Sequence, residues 1–188
     1  MLDRVLFVCH ANLCRSPMAE HLARRMLSDR PVLVASAGTD AMDGLAMHPY
    51  ANEIVAESGA DPAAFRSRAL LPEHLADATL VLTATRRQRS VCTALAPAAL
   101  HRTFTLRQFG RLAAAGEPAP ELPAESAADP LRAAIAAAAQ ARGRLQPAAP
   151  DADDLRDPIG GTADDFRRCA EEIERSLRPL AALIGAAG

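Results

Sequence analysis

Cys9 and Arg15 sit in the segment "VLFVCHANLCRSPMAEHL" (Val5 to Leu22) with His10, Ala11, Asn12, Leu13 and Cys14 between them. The segment passes from an apolar stretch into an amphipathic pattern, which puts the cysteine in a short polar gap between a strand and a helix. A loop of that kind presents free backbone N–H groups and the positive end of a helix dipole, together an anion site. The same field favours thiolate over thiol, and cysteines so placed ionise at about 3.5 to 7.5 instead of about 8.5. At about 1.4 kcal/mol per pH unit, this amounts to several kcal/mol of anion stabilisation. Arg15 adds a planar fork suited to two oxygens of a phosphate or arsenate. A nucleophile below and a clamp at the side fit thiol-based phosphoryl transfer: in-line attack, a covalent phosphocysteine, then hydrolysis. The bare spacing also occurs where a small cysteine is only core. The junction of strand and helix, followed at once by Ser16 and Pro17, favours the catalytic reading.

The elements needed to position that loop are readable. Val5 to Val8 is an uninterrupted apolar run, as in a strand covered on both faces of a parallel sheet. Ser16 and Pro17 supply an N-cap and a first-turn proline, and Met18, Leu22, Met26 and Leu27 recur at helical spacing. "PVLVASAG" (Pro31 to Gly38) reads as a second strand, with a helix near Ala51 to Ser58 closed by Gly59. "ATLVLTAT" (Ala78 to Thr85) is a third strand followed by a basic helix, and "RTFTL" (Arg102 to Leu106) a fourth. The alternation predicts one α/β domain: a four-stranded parallel sheet, helices on both faces, and a phosphate-binding loop after the first strand. Chemistry in such sheets sits beyond the carboxyl ends of the strands, where Cys9 falls.

From Leu112 to Pro150 the texture changes to Pro- and Ala-rich sequence carrying one good helix former, which reads as a partly mobile helical insertion within a domain spanning residues 1–188. "LRDPIGG" follows, Thr162 with Asp165 resembles a capping box, and Phe166, Cys169, Ile173, Leu177, Leu180 and Ile184 mark a long closing helix.

Composition narrows the function further. The chain has 188 residues, enough for one core, and a net charge of −2 that shows no nucleic-acid footprint. Every basic residue is arginine, which weakens any argument from arginine content; Arg86, Arg87 and Arg89 read as a solvated helix face. Four cysteines are too few for a disulfide scaffold. The apolar stretch before His10 is shorter than a signal-peptide core, and no segment has the length of a membrane span, so the expected location is a reducing cytoplasm without membrane contact. A zinc site using Cys9, Cys14, His10 and His21 has the wrong spacing, and no metal or other cofactor is expected.

"VLFVCHANLCRSPMAE" closely resembles the signature of the low-molecular-weight protein tyrosine phosphatases. The likeness extends through "SAGT" (Ser36 to Thr39), "ADATLVLTATRRQRSVCTAL" and "RTFTLRQFGRL" to "DPIGG", covering most of the chain outside Leu112 to Pro150. It implies that Cys9 is the nucleophile, that Arg15 and the loop residues His10 to Ser16 bind phosphate, and that Ser16 donates to the thiolate. It also implies that Asn12 and Ser36 brace the loop and that Asp157 is the general acid. Read without the resemblance, Asp157-Pro158 is equally a turn. Cys14 is by the same resemblance a candidate redox partner for Cys9, against the alternative of a spare buried thiol.

The chain departs from the family pattern at several positions. Ala11 stands where glycine is usual, Phe65 where histidine is frequent, and Ile159 where many members carry tyrosine, which removes an aromatic wall. Leu13 favours an aryl phosphate over the phosphoarginine-directed relatives. The expected substrate is thus a phosphotyrosine protein or similar aryl phosphate, with a tyrosine kinase as one candidate partner and no nucleic acid. Two alternatives remain: an arsenate reductase coupled to a small thiol, and a non-catalytic oxyanion or redox module.

Overall fold

The computed structural model describes residues 2–115, 129–144, 146, 148–149 and 151–185. Four parallel strands, β1 (Asp3–Cys9), β2 (Val32–Gly38), β3 (Leu80–Thr83) and β4 (Thr103–Thr105), lie in the order β2-β1-β3-β4. The chain leaves β1 toward β2 on one side and later returns to place β3 on the other. The crevice where parallel sheets bind ligands therefore opens at the carboxyl end of β1. Register aligns Cys9 with Gly38, Val8 with Thr83, and Thr83 with Thr105, so the strands end in one row.

The unbroken apolar run of β1 has its expected consequence. Val5, Phe7 and Cys9 face one core, while Leu6 and Val8 face a second. The larger core is covered by α1 (Arg15–Met26), α2 (Pro49–Glu57), α5 (Leu106–Ala115), α6 (Pro130–Arg144) and α7 (Ala163–Gly185). The smaller is covered by α3 (Pro72–Asp77) and α4 (Arg86–Leu95), with a short 3-10 turn, Pro97–Arg102, leading into β4. Helices thus lie on both faces, as the strand-helix alternation predicts. α5 crosses α7 closely because Gly110 has no side chain: a Cβ there would lie 2.6 Å from Ser176 O.

Two sequence expectations need correction. Ser16 does not cap α1: the helix begins at Arg15 after Cys14, and no side chain caps it. The Ser16 hydroxyl is engaged by Cys9 and Asn12 instead. The textural change at Leu112 is not a structural boundary either, because α5 runs on to Ala115 and buries Leu112 and Ala113. Of the stretch read as an insertion, residues 116–128, 145, 147 and 150 lie outside the described residues. The helix former within it is α6, which buries Leu131, Ala134, Ile135, Ala138 and Ala141 in the main core. At the start of α7 the Asp165 carboxylate accepts both the amide and the hydroxyl of Thr162, at 2.8 and 2.9 Å. The Thr162 amide first, then the Arg168 side chain and the Thr162 hydroxyl, hold Asp165 well below the usual carboxylate range.

Candidate active site

The loop from Cys9 to Arg15 turns on Asn12, the one described non-glycine residue with positive φ, at 54°. Asparagine tolerates this region better than most residues. Its side chain is fully buried and used at both ends. Nδ2 donates to Ser16 Oγ at 2.9 Å and to Ser36 Oγ at 2.8 Å, and Oδ1 accepts the Arg68 amide at 2.9 Å. Asn12 and Ser36, both singled out from the sequence, therefore meet directly. With one lone pair of Ser16 Oγ taken by Asn12, the hydroxyl proton is free for Cys9 Sγ at 2.9 Å, a shorter contact than the 3.4 Å to Ala37 O.

Behind the brace stands Glu20, buried on α1, which sequence reading missed. Its carboxylate accepts Ser36 Oγ at 2.5 Å and pairs with Arg24. An acidic residue amid the buried run of α1 was the available signal. Gly38, at the end of β2, was passed over as well. A Cβ there would lie 2.4 Å from His10 O and 2.8 Å from Asn12 N, so only glycine lets β2 support the loop backbone this closely. The amides of Ala11, Asn12, Leu13 and Cys14 make no hydrogen bond to another described residue. The loop therefore offers free donors at the start of a helix, the arrangement that binds oxyanions.

Arg15 is buried at the same place. Nη1 donates to Leu155 O at 3.1 Å, Nη2 pairs with Asp157 Oδ2, and Nε is buried without an acceptor among the described residues. Asp157, 142 positions away in sequence, thus lies against the clamp of the loop, and its Oδ1 accepts the Ile159 amide at 3.2 Å. The segment carrying it is fastened from α4 and α5. Arg111 pairs with Asp153 at 3.1 Å, Arg107 donates to Asp154 O at 2.9 Å, and the Arg86 amide to Asp154 Oδ1 at 2.8 Å. Leu155 N donates to Ala84 O at 2.8 Å, tying the segment to the end of β3. No spacing rule in the sequence announces these anchors.

The remaining singled-out residues divide between rim and interior. His10 is exposed and pairs with Asp40 at 3.0 Å. The Asp40 carboxyl is held below its ordinary value, first by the Thr39 hydroxyl. Leu13 packs against the core, and its carbonyl accepts the His48 amide at 3.0 Å; His48 stacks on Phe166 with centroids 4.5 Å apart. Cys14 is buried, and burial, then the nearby Asp157 carboxylate, pushes its thiol up to about 12. Ile159 is exposed, while Phe65 is buried beside His21 with ring centroids 6.0 Å apart. Arg86 and Arg87 are solvated as read from sequence, whereas Arg89 is drawn inward to Thr103 O at 3.1 Å. Among the described residues, no cluster of three or more His, Cys, Asp or Glu could hold a metal ion, and no helix is long and apolar enough to cross a membrane.

The chain is similar to known proteins in sequence and in structure. The "Protein-arginine-phosphatase" of Geobacillus stearothermophilus is 41% identical over 106 residues, 56% of this chain and 70% of that protein. The "Probable low molecular weight protein-tyrosine-phosphatase EpsP" of Ralstonia nicotianae is 34% identical over 109 residues, 58% of this chain and 74% of its own length. Among solved structures, the YwlE arginine phosphatase from Geobacillus stearothermophilus superposes with a TM-score of 0.71 at 29% identity, covering 98% of this chain and 94% of that one. The sequence model described as "Low molecular weight phosphotyrosine protein phosphatase" matches residues 4–136, and the chain belongs to that family of cysteine-dependent phosphatases.

Proposed function

We propose that Cys9, Arg15 and Asp157 carry out phosphate-monoester hydrolysis on a phosphorylated protein, with phosphotyrosine as the preferred side chain. The observation that carries this reading is the convergence on one loop of a sulfur with a hydroxyl donor at 2.9 Å and a buried guanidinium. The phosphoryl group is received by the loop amides from His10 to Ser16 and by Arg15, replacing the Asp157 carboxylate as the partner of Nη2. In this role Asp157 enters the first half of the reaction carrying the proton that a general acid gives up. Cys9 Sγ then attacks phosphorus in line, the bond to the leaving oxygen breaks, and Asp157 gives that oxygen its proton. In the second half, water attacks the phosphocysteine and loses a proton to the Asp157 carboxylate. The S–P bond breaks, inorganic phosphate leaves, and the thiolate is restored. Asn12 and Ser36 hold Ser16 in place throughout.

Leu13 within the loop, with Ile159 and Tyr50 exposed on neighbouring segments, favours an aryl leaving group through apolar contact. The 41% identity to a protein named for arginine dephosphorylation supports a second reading, in which phosphoarginine is the substrate. Phosphotyrosine and phosphoarginine peptides of one sequence, compared by kcat/KM, decide between them: the aryl reading expects phosphotyrosine to win by tenfold or more. Cys9→Ser is expected to abolish turnover of para-nitrophenyl phosphate, and Asp157→Asn to lower kcat by about 10²- to 10⁴-fold. Full activity of Cys9→Ser would end the proposal. A phosphorylated tyrosine kinase is the partner class we propose to test first.

A further inference from the structure

Away from the phosphatase site, on the side of the acid segment facing α5 and α6, two arginines converge on one acceptor. Arg142 Nη2 and Arg89 Nε each donate to Thr103 O at 3.1 Å. Like charges rarely share a partly buried carbonyl without an anion to balance them, because each cation has lost solvation that the other's field makes harder to recover. The Phe104 ring, 4.0 Å from the Arg142 guanidinium carbon, offsets part of that cost. Burial and then the Arg89 charge push the Arg142 pKa down to about 10. Its Nε is buried without an acceptor, and no ion pair reaches it among the described residues.

Next to this pair opens a cavity of about 210 Å³ lined by Arg86, Gln108, Arg111, Arg142 and Asp153. Three arginines line it against one lining acidic residue. Asp153 is held by Arg111 at 3.1 Å, and Arg86 reaches Asp154 at 3.5 Å, which leaves Arg142 as the lining arginine with no carboxylate partner among the described residues. The volume equals about seven water molecules at ~30 Å³ each, room for two joined tetrahedral groups.

We propose that this cavity is a second anion site, which binds a small diphosphate-bearing molecule through Arg142 with Arg86 and Arg111 alongside. Guanidinium forks match phosphate oxygens in pairs, so the preference is for phosphate over a single carboxylate. The site is independent of the phosphatase reading and stands or falls separately from it.

The probe is inorganic diphosphate, titrated calorimetrically into the whole chain at low ionic strength, where screening is weakest. Two equivalents are expected per chain, one at the loop of Arg15 and one at Arg142. Arg142→Met keeps the stem over Phe104 and removes the charge; it is expected to bind one equivalent, with the second site weakened about tenfold to a hundredfold. The same variant, without diphosphate, is expected to melt at a temperature equal to or above that of the parent. Arg15→Met reports the complement, retaining the Arg142-dependent equivalent. Should Arg15→Met be unfolded, the stoichiometries of the parent and of Arg142→Met still decide. One equivalent in both the parent and Arg142→Met, or two in both, overturns the proposal.

Discussion

Replacing Asn12 by alanine and, separately, by glycine divides the work of this residue into two measurable parts. Both changes delete the hydrogen bonds to Ser16, Ser36 and the Arg68 amide. At about 1 kcal/mol each, the loss is about 3 kcal/mol of stability. Alanine, like the parent asparagine, keeps a Cβ at a φ of 54°, which costs about 1–2 kcal/mol. Glycine avoids this but gains unfolded-state entropy worth about 0.4–1 kcal/mol. Urea unfolding should therefore rank the parent above Asn12→Gly, and Asn12→Gly above Asn12→Ala by about 1 kcal/mol. Activity should behave differently. In both variants Ser16 Oγ is released to turn toward Ala37 O, at 3.4 Å, and Cys9 loses its donor. A hydrogen bond to a charged group contributes about 1.5–3 kcal/mol, so kcat on para-nitrophenyl phosphate should fall about 10- to 150-fold by the same amount in each. Equal stability of the two variants would refute the backbone argument. Parental kcat in either would refute the claim that Asn12 aims Ser16 at the sulfur.

Gly38→Ala should cost more than a typical overpacking change of about 1–3 kcal/mol, because the new Cβ would meet two backbone atoms of the loop, His10 O and Asn12 N, besides the Ala41 Cβ; unchanged unfolding and kcat would show that β2 is not the support described. Burial pushes Cys14, Cys92 and Cys169 up to about 12, so all three stay protonated at neutral pH. Iodoacetamide at pH 7 should modify one thiol, Cys9, as read by peptide mass mapping, with orthovanadate protecting it; first labelling at Cys14 would contradict the assignment. Burial lowers the His21 pKa below 6.5, so the folded chain binds fewer protons there than the unfolded one. The neutral ring's contribution is present above pH 6.5 and is lost as pH falls through the lowered folded value. His21→Leu should flatten that acid-side decline in a urea titration run across pH 4 to 7, and an unchanged slope would rule His21 out as its source.

Much of the fold was legible because local rules and global structure agree. The unbroken apolar run of β1 implied two covered faces, and Val5, Phe7 and Cys9 do face one core while Leu6 and Val8 face the other. The same run, followed by a polar gap and a helix, located Cys9 and Arg15 together, since a strand-loop-helix unit brings residues this near in sequence to one anion. Ser16 misled as an N-cap for the opposite reason: a serine at a helix start has several acceptors and donors within reach, and Asn12 and Cys9 outcompeted the helix amides.

Chain order by itself determined the alternation of strands and helices, the end of the sheet where the candidate site lies, and the pairing of the cysteine with its arginine in one loop. Tertiary structure alone decided what surrounds them. Asp157 meets Arg15 only because Asp153, Asp154 and Leu155 are fastened to α4, α5 and the end of β3. Glu20 supports Ser36 only because α1 packs beside β2. Such contacts join residues far apart in the chain, and their energies depend on burial and direction that periodicity does not encode. Spacing can specify a loop that joins a strand to a helix, whereas a carboxylate arriving from the far end of the chain is placed by packing.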